Sequence, residues 1–147
     1  MSRAGKSQLV YLLRILEYCG KIQVYLKQFK EYKDFYGRND QLHFNASLTL
    51  LVQIGEQAGR IDDFLKPKIS LVPWPMLKGF RNIAVHEYQF VDAEKVFHIC
   101  TFHIPQLQLQ LENFIRESIK TNLLSDFELQ LSKGSEFYLH IRFDKLS

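Results

Sequence analysis

A helical repeat of apolar residues near the start of the chain is the feature that most limits its fold. Between Leu9 and Tyr32, apolar side chains recur at alternating steps of three and four, which places them on one face of a helix. Tyrosines at every seventh position, from Tyr11 to Tyr32, widen this face; base stacking is one interpretation of them, and a broad core or dimer face is the favoured one. The apolar stripe comprises Leu12, Ile15, Cys19, Ile22, Leu26 and Phe29.

A second helix is predicted from about Gln41 to Leu65. The turn 37–40 contains an Asn and an Asp, either of which can cap the first backbone N–H groups of this helix. Gly55 and Gly59 lie four residues apart on one face, where missing side chains let another helix approach closely. We interpret both as packing glycines, because no phosphate-loop motif surrounds them.

Two more helical segments follow. Pro75 suits the first turn of a short helix that runs to about His86, and Asp92 is a predicted N-cap for the next helix. Pro105 should kink or break that helix before a continuation to about Ile119. The chain up to about residue 120 is therefore predicted to be all-α.

The last segment changes period. Apolar residues alternate with polar ones over 127–131 and again over 137–143, on either side of a Ser-Lys-Gly-Ser turn. This alternation predicts a β-hairpin. We therefore expect two parts, a helical bundle over 1–120 and a C-terminal extension with a β-hairpin over 121–147.

Composition limits the class of protein. The chain has 147 residues with 46% hydrophobic residues, which suits one globular domain and excludes a disordered tail, a repeat array or a multidomain enzyme. Its net charge of +3 is mild, but it permits a phosphate-bearing partner. No apolar run approaches the roughly 18 residues of a membrane span, and no secretory signal follows the first residues, so we expect a cytoplasmic protein with no membrane association.

Cysteine and histidine patterns give no cofactor site. Cys19 and Cys100 stand far apart in apolar helical patterns, which indicates buried thiols in a reducing compartment. His98 and His103 have no Cys or acidic neighbours at zinc spacing, so we expect no metal. No other cofactor is expected, because the familiar motifs are absent from the sequence.

The residues between Arg81 and Tyr88 carry the strongest chemical signal. They bring together a permanent cation, the amide of Asn82, the titratable imidazole of His86 and a phenol. An Arg can hold a phosphate and stabilise the charge that grows during phosphodiester cleavage. A His can move the proton of a ribose 2′-OH or of the leaving oxygen near neutral pH, and no metal is needed. An ordinary capped helix end is the alternative.

This stretch resembles the motif of HEPN-domain proteins of the HepT type. Their R-x4-H-x-Y pattern is matched by Arg81, His86 and Tyr88, and the resemblance covers about residues 8–118. Three further similarities are the segment 53–58, the pair Pro73-Trp74 and the run Pro105-Gln106-Leu107.

The resemblance implies an antiparallel bundle of four or five helices that forms a homodimer with a composite cleft. It implies a toxin that cleaves transfer or messenger RNA, with Arg81 and His86 as catalytic residues and Asn82 in support. It also implies a partner, a minimal nucleotidyltransferase antitoxin of the MntA type, which silences the toxin by AMPylation of Tyr88. A phosphate-bearing group there would repel an RNA backbone.

Two alternatives remain. One is a non-catalytic subunit that binds substrate or nucleotide for a nucleotidyltransferase. The other is a structural helical dimer. A basic rim made of Lys66, Lys68, Lys78 and Arg81 would favour RNA binding, although the same residues suit an ordinary protein surface.

Overall fold

The residues that the structure describes form seven α-helices. The structure, a computed structural model, describes residues 7–69, 72–86 and 92–147, and for residues 83–86 it describes the helical backbone alone. Helices α1 to α7 span Gln8–Leu26, Tyr32–Gly37, Leu42–Gly59, Trp74–His86, Ala93–His98, Ile104–Lys120 and Asp126–Ser132. Lys66–Ile69 and Phe143–Leu146 form 3-10 turns, and Ile99–His103 forms a π-turn between α5 and α6.

Helix α1 lies at the centre of the core. It packs against α3 and α6, while α3 also packs against α4, and α2 contacts α3 and α5. Tyr11 is buried, and Tyr18 and Tyr25 pack against the core, which confirms the core interpretation for these three tyrosines. The side chains of α1 with 0% exposure are Leu12, Leu13, Ile15, Cys19 and Ile22, together with the carboxylate of Glu17.

Helices α1 and α3 are shorter than predicted. Helix α1 ends at Leu26, and α3 ends at Gly59 rather than near Leu65. The predicted Asn or Asp cap of α3 is wrong, because the capping residue is Gln41 and its side chain makes no cap hydrogen bond. Asn39 and Asp40 instead adopt φ angles of 53° and 55°, a left-handed conformation that Asn and Asp tolerate better than most residues.

The helical segment from Asp92 through Pro105 begins at a side-chain cap and changes its winding just before the proline. The side chain of Asp92 accepts hydrogen bonds from the backbone N–H groups of Glu94 and Lys95, which confirms this N-cap. Pro105 lies in the first turn of α6, where its missing N–H costs no helical bond. Just before it, the N–H of Ile104 donates to the carbonyl of Ile99, five residues back. The helix therefore changes its winding at the predicted position and continues, instead of breaking.

The predicted C-terminal β-hairpin is wrong. The described residues contain no strand, and residues 126–132 form α7. The hydroxyl of Ser125 caps this helix by accepting from the N–H of Glu128, as a serine N-cap does. Phe127 and Leu131 lie four residues apart on an exposed face, while Leu129 is buried. Over five residues, such spacing suits a helix as well as a strand.

The chain after α7 is held by buried carboxylates rather than by a neighbouring strand. Glu17 accepts hydrogen bonds from the backbone N–H and the Nδ1 of His140, each at 2.7 Å. Glu112 on α6 forms a two-pronged ion pair with Arg142, at 2.9 and 2.7 Å. Leu146 is fully buried. The C-terminal segment, residues 126–147, therefore packs against the α1 and α6 side of the core.

Both cysteines are free and buried, as predicted. Burial raises the pKa of Cys100 to about 12 and that of Cys19 further. In the described part of the chain, no helix has the length and apolar character needed to cross a membrane.

Candidate active site

Helix α4 carries the motif and lies unusually close to α3 at Gly55. A Cβ built on Gly55 would lie 2.6 Å from the carbonyl oxygen of Leu77 and 3.2 Å from the backbone nitrogen of Arg81. A side chain here would therefore push α4 away. This confirms Gly55 as a packing glycine. For Gly59 the same interpretation is wrong, because a Cβ there would meet nothing within 4 Å.

Arg81 is positioned by an acidic residue of the neighbouring helix. Its Nε lies 2.7 Å from Oε1 of Glu56, the residue that follows Gly55. The Arg81 side chain is 58% exposed and that of Glu56 is 34% exposed. This contact uses Nε, and the exposure of the side chain leaves the terminal nitrogens of the guanidinium able to donate to a phosphate. Glu56 therefore aims Arg81 while leaving its charge open to solvent.

Asn82 and His86 are four residues apart on the backbone of α4. Asn82 is exposed, and His86 is the last described residue of the helix. Residues four apart on a helix are neighbours, with Cα atoms about 6 Å apart along the axis. The structure thus places the backbone of His86 one turn beyond Asn82, on the helix that also carries Arg81. Tyr88, the predicted modification site, and the neighbouring Glu87 lie outside the described residues.

The four residues of the predicted basic rim do not act as one group. Lys66 and Lys78 line a common cavity beside Trp74. Lys68 lies instead over the ring of Phe64, 5.1 Å from its centroid. Arg81 pairs with Glu56. The structure therefore assigns two of these cations to one concave surface and gives the other two separate partners.

His98 and His103 pack among aromatic rings. The two imidazole centroids lie 5.2 Å apart with the rings edge to face, and His98 stacks on Phe102 at 5.1 Å. Within the described ranges, no group of three or more His, Cys, Asp or Glu side chains could hold a metal ion.

The family follows from comparison with known proteins. The model of the family described as "Ribonuclease HepT-like" matches residues 15–114, which include most of α1 through α6 and the whole motif. The chain belongs to this family. No solved structure matches the chain.

Three relatives carry similar names. "Putative RNase MJ1216" of Methanocaldococcus jannaschii is 29% identical over 73% of this chain and 86% of its own length. "Putative RNase MJ1380" of the same organism is 28% identical over 69% of this chain and 91% of its own. "Putative RNase TTE0752" of Caldanaerobacter subterraneus is 27% identical over 73% and 93%. These similarities agree with the HepT-type resemblance of the motif.

Sequence reasoning missed Glu56 as a residue of the candidate site. It lies in the segment 53–58 that contributed to the family resemblance, but its contact with Arg81 joins two different helices. Periodicity along one helix gives no information on such a pair. The signal that could have found it is an acidic side chain next to a helix glycine that packs against the motif helix.

Proposed function

We propose that this protein is a metal-independent endoribonuclease in which Arg81 and His86 are the catalytic residues. The observation that carries the proposal is the placement of Arg81, Asn82 and His86 on one helix of a HepT-like ribonuclease family member, with the Arg81 guanidinium aimed by Glu56 and open to solvent. The names of the relatives agree with cleavage of RNA.

The proposed reaction uses the ribose 2′-OH as the nucleophile. Its oxygen forms a bond to phosphorus as the bond from phosphorus to the 5′-oxygen breaks, and the products end in a cyclic phosphate and a 5′-OH. A neutral His86 accepts the 2′-OH proton, and a protonated His86 donates a proton to the 5′-oxygen. Arg81 binds the non-bridging oxygens and stabilises the charge that develops on them. Asn82 donates to phosphate or orients His86.

The two proton transfers favour a homodimer with a shared cleft. One imidazole cannot be base and acid in the same step, whereas two copies of the motif supply one of each. We therefore propose that two chains together form the cleft and that transfer or messenger RNA is the substrate.

We further propose that the protein is the toxin of a toxin–antitoxin pair. A minimal nucleotidyltransferase of the MntA type would be the antitoxin and would attach AMP to Tyr88, two residues beyond His86. The added negative charge would repel RNA from Arg81. The test is co-expression with such an antitoxin, followed by mass spectrometry of the Tyr88 peptide and an RNA cleavage assay.

Cleavage of purified transfer and messenger RNA in EDTA tests the central proposal. The unmodified protein should cleave, and His86→Ala should reduce the rate by about 10²- to 10⁴-fold while the circular dichroism spectrum stays unchanged. Mapping of the product ends should find cyclic phosphates and 5′-OH groups. The proposal is falsified if His86→Ala is as active as the parent, or if EDTA abolishes cleavage.

A further inference from the structure

A cavity next to the motif helix has no role in the proposed chemistry. It lies between the end of α3, the 3-10 turn of residues 66–69 and the first turns of α4, and its volume is about 310 Å³. We call it the Trp74 cavity. Its volume falls within the range of about 300–1,000 Å³ found for small-ligand pockets. It is lined by Ala58, Gly59, Lys66, Trp74, Pro75 and Lys78.

Trp74 is held in place by the 3-10 turn. Its Nε1–H donates to the carbonyl oxygen of Lys66 at 3.2 Å, which fixes the indole and satisfies its polar edge. Gly59 keeps the opposite wall open, because a Cβ there would meet nothing within 4 Å. The indole of Trp74 is thus held in one position, and Gly59 places no side chain in the space opposite it. Aromatic rings of this kind stack on nucleic acid bases of any sequence.

The charge of the cavity is positive. Among the described residues, its lining contains Lys66 and Lys78 and no acidic side chain. Lys78 is exposed and forms no ion pair with any of the described residues. Nζ of Lys66 lies 3.5 Å from Asp63, but that carboxylate is 93% exposed, so solvent screens the pair. Two amino groups beside an aromatic ring match the two parts of a nucleotide, its phosphate and its base.

Helix geometry connects the cavity to the catalytic residues. Lys78, Asn82 and His86 follow one another at intervals of four residues on α4. Their Cα atoms therefore form a row in which Lys78 lies about 12 Å from His86 along the helix axis. An extended strand of RNA lying along this row would occupy the cavity and the motif at the same time.

We propose that the Trp74 cavity binds one nucleotide of the RNA substrate, outside the scissile phosphate. Lys66 and Lys78 bind its phosphate, and Trp74 stacks on its base. This inference rests on the proposed function, since it takes RNA as the ligand. A free mononucleotide has the same chemistry, so the test separates the two sources.

The chain offers a direct probe, because Trp74 is its only tryptophan. The parent protein is titrated with single-stranded 2′-O-methyl RNA, which lacks the free 2′-OH needed for cleavage, and tryptophan emission is recorded. We expect a saturable change. The double variant Lys66→Gln, Lys78→Gln should bind more weakly, and the slope of log K against log salt should fall by about 0.7 per lysine. Lys133→Gln, an exposed cation on the C-terminal side of α7, is the matched control and should bind like the parent.

A second variant guards against misinterpretation of the emission. Trp74→Phe keeps an aromatic ring, so it should abolish the signal while fluorescence anisotropy of labelled RNA still reports binding. RNA binding without a change in Trp74 emission would overturn the proposal, as would an emission change that is insensitive to the two lysine substitutions. Saturation by AMP at the same concentration as RNA would also overturn it, in favour of a mononucleotide site.

Cleavage of ordinary RNA by the same proteins separates this proposal from the proposed function. If the parent cleaves RNA but the titration shows no lysine-dependent change in Trp74 emission, the cavity proposal is wrong and the nuclease proposal stands. If the emission change is found and depends on the two lysines but the parent does not cleave RNA, the nuclease proposal is wrong and RNA binding at the cavity stands. If both hold, the double lysine variant should raise KM and leave kcat near that of the parent.

Discussion

The motif helix α4 and the C-terminal segment are held to the same core by opposite means. At α4 the close contact is made by backbone against Gly55, and the charged groups of Arg81 and Glu56 remain open to solvent. At the C-terminal segment the carboxylates of Glu17 and Glu112 are 0% and 3% exposed and receive their bonds from His140 and Arg142. The first region leaves its charges exposed to solvent, and the second buries its carboxylates in contacts that hold the chain.

The family match sharpens this comparison. The carboxylates of Glu17 and Glu112 lie within the matched residues 15–114, whereas His140 and Arg142 lie beyond them. Buried carboxylates are costly without partners. The C-terminal segment therefore supplies to the bundle the hydrogen bond donors that these two side chains require.

The largest expected effect is that of removing residues 126–147. This deletion exposes the surfaces that Leu129 and Leu146 cover and removes the partners of both buried carboxylates. Loss of two fully buried leucines alone should lower the free energy of unfolding by about 3 kcal/mol or more. Urea unfolding followed by circular dichroism measures it. A loss below about 1 kcal/mol would show that the C-terminal segment is a dispensable appendage.

Gly55→Ala should disturb the motif region next most strongly. The new methyl group would overlap the Leu77 carbonyl, so α4 must shift, and such overpacking costs about 1–3 kcal/mol. RNA cleavage should fall with stability, because Arg81 moves with the helix. Gly59→Ala is the matched control; it meets nothing within 4 Å and should leave the free energy of unfolding unchanged or raise it by up to about 1 kcal/mol. Equal unfolding curves for the two variants would contradict the close contact.

Arg142→Ala tests whether the ion pair with Glu112 stabilises the C-terminal segment. Glu112 would stay buried without its two-pronged partner, at a cost of about 1–2 kcal/mol, because the arginine itself is partly solvated. Lys145→Ala is the control, since Lys145 acts here through its backbone: its N–H donates to the Arg142 carbonyl, and its carbonyl accepts from Arg116. If both variants unfold at the same urea concentration as the parent, the Arg142 ion pair does not stabilise the segment.

Much of the bundle could be predicted from the sequence because its signals are local. The stripe of α1, the cap at Asp92 and the start of α4 each depend on a few consecutive residues. The hairpin prediction failed because alternation over 127–131 also satisfies helical spacing, and the N-cap at Ser125 favours the helix. Long-range pairs were beyond such reasoning. His140 and Glu17 are 123 residues apart, and nothing in either local sequence points to the other.

The candidate site shows the same difference between residues found from local sequence and residues found only from the fold. Arg81, Asn82 and His86 could be found because one motif contains them, whereas Glu56 and the Trp74 cavity arise only when α3, the 3-10 turn and α4 pack together. Sequence spacing thus predicts the candidate catalytic residues, whereas the residues that position them become visible only in the tertiary fold.

The smallest expected effect, and the one that separates the two regions best, is that of Glu56→Ala. Because the Arg81 pair is exposed, its loss should change the free energy of unfolding by less than about 1 kcal/mol. RNA cleavage should nevertheless fall, by up to about tenfold, since Arg81 loses its aim at the phosphate. Glu56→Gln keeps an acceptor for Nε and should restore part of the rate.

Glu117→Ala is the matched control for Glu56→Ala, since Glu117 forms an exposed ion pair with Lys120 on α6 at 3.6 Å. Its removal should affect neither unfolding nor cleavage. If Glu56→Ala behaves like Glu117→Ala in both assays, the Glu56 contact is an ordinary surface ion pair. If it lowers stability as much as Arg142→Ala does, the contrast between an open site and a structural C-terminal segment is wrong, because the charges at α4 would then also hold the fold together.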